Sequence, residues 1–252
     1  MIEVKNLIKS FNGTPVLKNI NIQFIKGNVN VIIGQSGSGK TVLLKCLVGL
    51  HDVDQGNVLF EGSDFLNMPL NEKKEIRKEL GMLFQGGALF DYMTVEENVK
   101  FPLSMFTTMT IAEQQDRADF CLERVNLINS KKLFPAELSG GMQKRVAIAR
   151  AISMNPKYLF CDEPNSGLDP TTAIIIDNLI AELTQEYNMT TIVITHDMNS
   201  VIEIGDYINF LYKGEIWWKG NKEDILHTDN LEINDFVYAS KFMKKLKEGG
   251  RI

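Results

Sequence analysis

Short, mainly apolar runs alternate with longer amphipathic stretches along this chain, a pattern that predicts strands alternating with helices. Such short runs are typical of strands buried on both faces of a parallel sheet. Buried strands are expected at residues 29–33, 158–161 and 191–195. Helices are expected between them, at residues 40–50, 139–155 and 170–187. This order predicts an α/β fold with a parallel sheet and with functional sites at the carboxyl ends of the strands.

The stretches around these elements have different periodicities. Alternating apolar positions at residues 2–5 and 16–24, joined through an Asn-Gly turn at residues 12–13, predict an antiparallel β flap. Residues 86–135 are helical in pattern, and a capping box opens a helix expected over residues 110–129. The chain is therefore expected to combine a parallel-sheet core with a β flap and an inserted helical subdomain.

A chain of 252 residues can form one large or two coupled domains. We expect a core at residues 1–85 and 156–230, the helical subdomain at residues 86–155 and a helical tail at residues 231–252. The tail has five basic residues whose default role is solvation, with anionic headgroups or a neighbouring subunit as the alternative contacts. They are Lys241, Lys244, Lys245, Lys247 and Arg251.

Composition excludes several classes of protein. With 44% hydrophobic and 23% charged residues the chain is ordinary for a soluble globular protein, and its net charge of −5 argues against nucleic acid as a main partner. Cys46, Cys121 and Cys161 are widely spaced, so neither a disulfide framework nor a zinc site is expected, and a reducing cytoplasm fits best. The N-terminus does not read as a signal peptide, and no apolar stretch is long enough for a membrane span. Any membrane role is expected to be peripheral.

Residues 34–41 read Gly-Gln-Ser-Gly-Ser-Gly-Lys-Thr, the complete phosphate-binding loop pattern, between a buried strand and a helix. In such a loop the glycines let backbone N–H groups surround the α- and β-phosphates, the lysine reaches the β- and γ-phosphates, and the threonine hydroxyl binds Mg²⁺. The residues expected to contact nucleotide are Gly34, Ser36, Gly37, Ser38, Gly39, Lys40 and Thr41. This loop predicts a nucleoside triphosphate, with Mg²⁺, as ligand.

A second glycine turn, Leu-Ser-Gly-Gly-Met-Gln at residues 138–143, opens another helix and is called the signature turn below. Its contact residues are expected to be Ser139, Gly140, Gly141 and Gln143. A hydroxyl, unhindered N–H groups and a helix N-terminus together make a second anion site. Since one ATP does not need two distant cradles, the signature turn is expected to contact an ATP held mainly by another copy in a head-to-tail homodimer.

Two adjacent carboxylates, Asp162 and Glu163, follow an apolar strand. Mg²⁺ prefers few protein oxygens together with water and phosphate, so Asp162 is expected to bind the metal directly or through water. Glu163 is then the expected general base that polarises the attacking water. The alternative, an Asp-Glu pair in a solvated turn, is common for an isolated pair but disfavoured beside a complete phosphate-binding loop.

These motifs and their order resemble the ATP-binding subunits of ABC transporters over residues 1 to about 225. The resemblance also covers residues 166–169 as the D-loop, Gln85 as the Q-loop glutamine and His196 as the switch histidine. It implies the P-loop NTPase fold of ABC ATPases and ATP hydrolysis with Mg²⁺. Gln85 would report γ-phosphate and metal to the helical insertion, and His196 would orient γ-phosphate and attacking water. Asn165 replaces the threonine more usual after Asp-Glu-Pro.

Three positions keep alternatives open. Asp169 is expected to cap the helix at Pro170 and also to face the partner subunit. Phe11 lies where the family has an adenine-stacking ring, and a core phenylalanine is the rival interpretation. Residues 221–224 spell the guanine-reading Asn-Lys-x-Asp of GTPases, but they follow a hairpin and are interpreted as the Asn-capped start of a helix. A plain P-loop kinase or GTPase is disfavoured by the signature turn.

The segment after Gln85 is rich in aromatic residues and methionine, which suit adaptable docking surfaces. Its Phe-Gln-x-Gly-Ala-Leu-Phe at residues 84–90 resembles the ATPase of phospholipid-trafficking ABC systems that work with an MCE-domain lipid-binding protein. That implies a peripheral subunit on the cytoplasmic face of the inner membrane, docked on permease subunits. Alternatively, Leu89, Phe90 and Val95 are core residues of the helical insertion. The alternative functions are a soluble ABC ATPase that acts as a scaffold without a permease, or a transporter ATPase for another cargo.

Overall fold

The structure is a computed structural model that describes residues 1–238. The basic residues predicted for the tail, from Lys241 onwards, lie outside the described residues. In chain order the elements are β1 (Ile2–Phe11), β2 (Thr14–Phe24), β3 (Val29–Ile33), α1 (Lys40–Leu47), β4 (Gln55–Phe60), β5 (Ser63–Asp64), α2 (Leu70–Lys78), β6 (Leu80–Leu83), α3 (Val95–Phe106), α4 (Ile111–Arg124), α5 (Gly140–Ile152), β7 (Tyr158–Asp162), α6 (Pro170–Glu186), β8 (Thr190–Ile194), α7 (Met198–Ile204), β9 (Tyr207–Tyr212), β10 (Glu215–Gly220), α8 (Lys222–His227) and α9 (Leu231–Val237).

The predicted parallel sheet is confirmed. Six strands lie in the order β10-β9-β3-β8-β7-β6, and all neighbours pair parallel except β9 and β10, which form a hairpin. The connections between the parallel strands are helical, as parallel neighbours require. Because the strands are parallel, the segments that follow β3, β6, β7 and β8 all emerge at one edge of the sheet.

The β flap is also confirmed, and it is larger than predicted. Strands β2, β1, β4 and β5 form a separate antiparallel sheet in which β1 runs on to Phe11 instead of ending near Lys5. Register shifts along β1 explain why its alternation fades after Val4, since a bulge moves later side chains to the other face.

Alternate residues of the buried strands pack into two different cores. Val29, Val31 and Ile33 face a core built with the helices α3 to α7, whereas Ile32 faces a second core shared with the flap and α1. Each face of the sheet is therefore covered, which explains the short continuous apolar runs that first identified these strands.

The helical region differs from the predicted pattern at one end. Helix α4 opens with the expected capping box between Thr110 and Glu113, but it ends at Arg124 rather than near residue 129. Asn126 adopts a left-handed backbone (φ 56°), which an α-helix cannot continue through, and a short 3₁₀ turn, Ile128–Ser130, follows. The sequence periodicity continues there because Leu127 remains buried.

The three cysteines are free and buried. Burial raises the pKa of Cys46 and of Cys121 to about 11, and it raises that of Cys161 as well, so none has thiolate character at neutral pH. Within residues 1–238, no helix combines the length and the apolar character that a membrane crossing requires.

Candidate active site

A cavity of about 800 Å³ lies at the carboxyl edge of the parallel sheet. It brings together the phosphate-binding loop after β3, Gln85 after β6, Glu163 after β7 and His196 after β8. The four predicted motifs therefore meet because their strands are parallel and neighbouring. A second groove, of about 700 Å³ between the flap and β10, contains none of the predicted site residues and is not close to this chemistry.

The backbone of the phosphate-binding loop requires glycine at its first position. A Cβ on Gly34 would collide with the carbonyl oxygen of Leu211 in the neighbouring strand β9. Lys40 is buried, and its Nζ donates to the carbonyl oxygens of Gly34 (2.8 Å) and Gln35 (3.1 Å). The buried Ser38 hydroxyl has no hydrogen-bond partner among the described residues. The loop thus surrounds the N-terminus of α1 with donors suited to phosphate oxygens.

Thr41 and Asp162 form the oxygen pair expected for a metal site. The Thr41 hydroxyl donates to Asp162 Oδ1 over 3.3 Å. Burial raises the pKa of Asp162, and the Glu163 charge adds to this shift, while the Thr41 hydroxyl opposes it. A hydroxyl and a carboxylate beside a phosphate cavity fit Mg²⁺, which keeps much of its shell as water and phosphate oxygen. No cluster of three or more His, Cys, Asp or Glu residues that could hold a metal occurs in residues 1–238.

Glu163 and His196 are in direct contact. His196 Nδ1 lies 2.8 Å from Glu163 Oε1, and the histidine side chain is 68% exposed whereas that of Glu163 is only 14% exposed. Glu163 has a left-handed backbone (φ 49°), and its N–H donates to the carbonyl oxygen of Ile194 on β8. This non-glycine left-handed conformation is uncommon and marks a backbone constrained by its surroundings.

Gln85 faces the D-loop, and its backbone is held by the helix of the signature turn. Its Nε2 donates to the Ser166 hydroxyl over 3.3 Å, while Lys144 Nζ of α5 donates to its carbonyl oxygen. On the same helix, Arg150 donates to the carbonyl oxygens of Gly87 and Ala88, each over 2.7 Å. Lys144 and Arg150 could not be recognised from the sequence, because basic residues on a helix usually indicate only a solvated face.

The signature turn caps α5 but does not line the phosphate cavity. Ser139 is the N-cap, and its Oγ accepts from Met142 N at 3.3 Å. The amide of Gln143 turns inward and donates to the carbonyl oxygens of Pro135 and Leu138. Within the described residues, the cavity around the phosphate-binding loop is lined by other segments and not by residues 138–143. The signature turn and the phosphate-binding loop are therefore separate in this chain, and anion binding by the signature turn stays a prediction.

The signature turn packs directly on the D-loop helix. A Cβ on Gly141 would collide with Cγ2 of Thr172 on α6, whereas a Cβ on Gly140 would meet only Leu168 at an ordinary 3.6 Å. Thr172 is held in turn by Asp169, whose carboxylate accepts from the Thr172 N–H (3.0 Å) and hydroxyl (2.5 Å). The capping role predicted for Asp169 is confirmed, and the contact of Thr172 with the signature turn could not be recognised from the sequence.

One aromatic residue, Phe11, is predicted to stack on adenine, and the structure adds a second, Phe236, at the cavity. Phe11 is 40% exposed and lies edge-on to His51, so the core interpretation is wrong, and adenine stacking remains a prediction. Asp235 and Phe236 of α9 line the cavity although the sequence singled out neither of them. Phe236 packs on Phe210 of β9, and only tertiary structure could reveal that α9 folds back to this edge.

The GTPase-like segment is a helix start, as interpreted. Asn221 Oδ1 accepts from the N–H groups of Glu223 and Asp224, and the Asp224 carboxylate accepts from Asn221 N. These reciprocal bonds engage the side chains in capping α8. They therefore belong to local structure and not to base recognition.

Gly141→Ala is expected to destabilise the protein by about 1–3 kcal/mol, because the added methyl overpacks against Thr172. Gly140→Ala is the matched control and should be neutral or slightly stabilising, since it has space and a helix favours alanine. Adding Thr172→Ser, which removes Cγ2 but keeps the hydroxyl bonded to Asp169, should restore most of the loss. Denaturant midpoints measure all three, and equal destabilisation by the two alanines would contradict the steric explanation.

Comparison with known proteins agrees with this geometry. Residues 17–166 match the family model described as ABC transporter. The chain is 38% identical over 237 residues to the intermembrane phospholipid transport system ATP-binding protein MlaF of Haemophilus influenzae, covering 94% of this chain and 90% of that one. It is 36% identical over 249 residues to the methionine import ATP-binding protein MetN of Clostridium acetobutylicum, covering 99% and 78%.

A solved structure has the same fold. It is the dimeric post-hydrolysis state of an ATP-binding cassette bound to ADP and Pi, with a TM-score of 0.80 at 33% identity over 88% of this chain and 99% of that one. The family match, the relatives and the shared fold lead to one conclusion. The chain belongs to the ABC transporter family, as an ATP-binding subunit that hydrolyses ATP.

Proposed function

We propose that two copies of this subunit bind ATP between them and power a membrane permease that moves phospholipid. One observation is the main support for a dimer: the signature turn does not line the cavity of its own phosphate-binding loop. Both motifs can therefore contact one ATP only if the turn comes from a second copy. The dimeric state of the structurally similar cassette supports this arrangement. The phospholipid cargo is supported by the similarity to MlaF and by residues 84–90.

Hydrolysis depends on groups already in contact. Glu163 is the general base: its carboxylate takes a proton from the attacking water, and the bond to His196 fixes the direction of Oε1. His196, on the exposed side of the pair, orients the γ-phosphate and water. Lys40 supplies positive charge to the β- and γ-phosphates from a partly desolvated position.

Thr41, Asp162 and Gln85 are the residues that would hold Mg²⁺. When bound, the ion neutralises charge that develops on the phosphate oxygens. Burial raises the pKa of Asp162, and the charge of neighbouring Glu163 acts in the same direction, so the surroundings disfavour the ionised carboxylate. A divalent cation would complete the site, because its charge favours the ionised carboxylate.

Glu163→Gln should lower the turnover number by about 10²–10⁴-fold, the range attributed to a general base, because an amide cannot accept the proton of water. ATP affinity should stay close to that of the unaltered protein, since the phosphate-binding loop is unchanged. Steady-state ATPase assays and nucleotide titrations measure the two effects. Glu182→Gln, an exposed change on α6, is the control and should have no effect. Full turnover in Glu163→Gln would remove Glu163 from its proposed role.

In the proposed dimer each phosphate-binding loop is closed by Ser139, Gly140 and Gly141 of the other copy. Gln143 shapes the turn from within, because its amide is bonded to Pro135 and Leu138. Asp169, at the tip of the adjoining D-loop, is expected to face the partner beside the signature turn. The site is then complete only when two copies meet.

Mixing two inactive variants tests this composite site. Lys40→Ala impairs the phosphate-binding loop and Ser139→Ala impairs the signature turn, so each homodimer has two defective sites. A mixed dimer has one site with an intact loop from one copy and an intact turn from the other. Co-expressed variants should therefore regain roughly a quarter of wild-type ATPase activity if half of the dimers are mixed. If both motifs acted within one copy, mixing would restore nothing.

The permease is proposed to dock on the helical subdomain beside the Q-loop. A groove of about 430 Å³ there is lined by Tyr92, Met93, Phe101 and Ile111, and Tyr92 is 74% exposed. Of the three residues predicted to be either core or docking material, Val95 is buried and Leu89 packs partly buried against the core. Phe90 packs on Phe101, which lines the groove. The groove thus combines packed aromatic rings with exposed apolar residues, which suit contact with a partner helix.

The phospholipid assignment has one specific rival, the import of a small solute, because the chain is also similar to MetN. In the phospholipid case the partners are permease subunits and an MCE-domain lipid-binding protein, with this subunit peripheral on the cytoplasmic face of the inner membrane. In the rival case the permease is retained but the cargo and the binding protein differ.

Co-purification from detergent-solubilised membranes should recover a polytopic permease with this subunit, and phospholipid with the complex. Tyr92→Asp should abolish recovery of the permease, whereas Leu70→Asp, at an equally exposed leucine on α2, should not. ATPase activity of the reconstituted complex should rise with phospholipid. Stimulation by methionine instead would favour the rival, and a complex without membrane protein would favour a soluble scaffold.

A further inference from the structure

A second route of side-chain contacts connects Glu163 with His196. Asn165, two residues after Glu163, donates from Nδ2 to the hydroxyl oxygen of Ser200 over 3.0 Å. The Ser200 hydroxyl lies 3.5 Å from the carboxylate of Asp197, which follows His196 and caps α7. With the 2.8 Å contact between His196 and Glu163, these residues close a ring between the ends of β7 and β8.

The two halves of this ring differ sharply in exposure. Ser200 is 1% and Asn165 is 9% exposed, whereas the His196 side chain is 68% exposed. Water competes with the exposed contact but not with the buried one, so the buried bond holds the geometry more firmly. A threonine at position 165, as is more usual in the family, lacks the amide N–H that makes this bond.

Asp177 of α6 is a buried carboxyl group near this cluster. Its side chain is 2% exposed, and its Oδ1 has no hydrogen-bond partner among the described residues. Burial raises the pKa of Asp177 to about 6, and the charges of Asp197 and Glu203 act in the same direction. The Ser200 hydroxyl and the Asn165 amide act in the opposite direction and favour the ionised form, which places this carboxyl group near both residues.

We propose that Asn165 and Ser200 are positioning residues that hold His196 against Glu163. They act through α7, because Ser200 lies within its first turn and Asp197 begins it directly after His196. Neither side chain lines the cavity of the phosphate-binding loop, so neither touches nucleotide there. The inference rests on the proposed function, in which Glu163 is the base and His196 its partner.

The expected signature is a loss of turnover without a loss of ATP binding. Removing one buried hydrogen bond from the support of a catalytic pair should lower the turnover number roughly tenfold for Asn165→Ala and for Ser200→Ala. ATP affinity should change less than about twofold, because Lys40 and the loop glycines are untouched. A merely structural role would instead lower thermal stability without changing the turnover number of the folded fraction.

The experiment combines each variant with His196→Ala and measures single-turnover ATP hydrolysis, ATP affinity and thermal midpoint. In the His196→Ala background the same substitutions should cost less than about twofold, because the residue that they position is gone. Asn199→Ala is the matched control: it lies on α7 beside Ser200, is exposed, and should leave turnover unchanged.

The outcomes distinguish the positioning role of Asn165 and Ser200 from the proposed function of the subunit. Unchanged turnover in folded Asn165→Ala and Ser200→Ala proteins, or an undiminished tenfold loss in the His196→Ala background, would overturn the positioning role. A parallel loss of ATP affinity would do the same, since it would place the effect at the nucleotide. Full activity of Glu163→Gln would instead overturn the proposed function on which this inference rests.

Discussion

The parallel pairing of β3, β8 and β7 is the constraint on which the rest of the site depends. Ile194 of β8 lies opposite both Ile32 and Asp162, so the three strands end at one level. Backbone bonds continue the pairing past the strands, from Glu163 N to Ile194 and from Thr195 N to Ile32. The backbones of the phosphate-binding loop, Glu163 and the segment leading to His196 are thus aligned by main-chain hydrogen bonds, which do not depend on side-chain identity.

Much of the fold and the central site could be predicted because both follow from local signals. Buried strands are recognisable from apolar runs such as residues 29–33, and motifs at strand ends meet whenever the strands are parallel neighbours. Element ends were less predictable. Helix α4 stops at a left-handed Asn126, and β1 continues through bulges, and both depend on backbone geometry that hydrophobic periodicity does not encode.

Contacts across large sequence separations could not be predicted. Thr172 beside Gly141, Arg150 on the Gly87 carbonyl and Ser200 on Asn165 each join segments that have no shared pattern. Their residue types are also ordinary: a threonine on a helix and a serine in a short one suggest solvated positions. What distinguishes them is burial and proximity, and these become visible only when α5, α6 and α7 are placed around the sheet.

The hydrogen bonds from α5 to the Q-loop backbone have a consequence for how such ATPases diversify. Lys144 and Arg150 hold the segment through carbonyl oxygens of Gln85, Gly87 and Ala88, atoms that every amino acid provides. The exposed side chains beyond it, such as Tyr92, are therefore free to vary without loosening the link to the ATPase core. During evolution, surface residues alone could therefore change to suit a different membrane partner. The hydrogen bonds that connect α5 with the Q-loop would be retained.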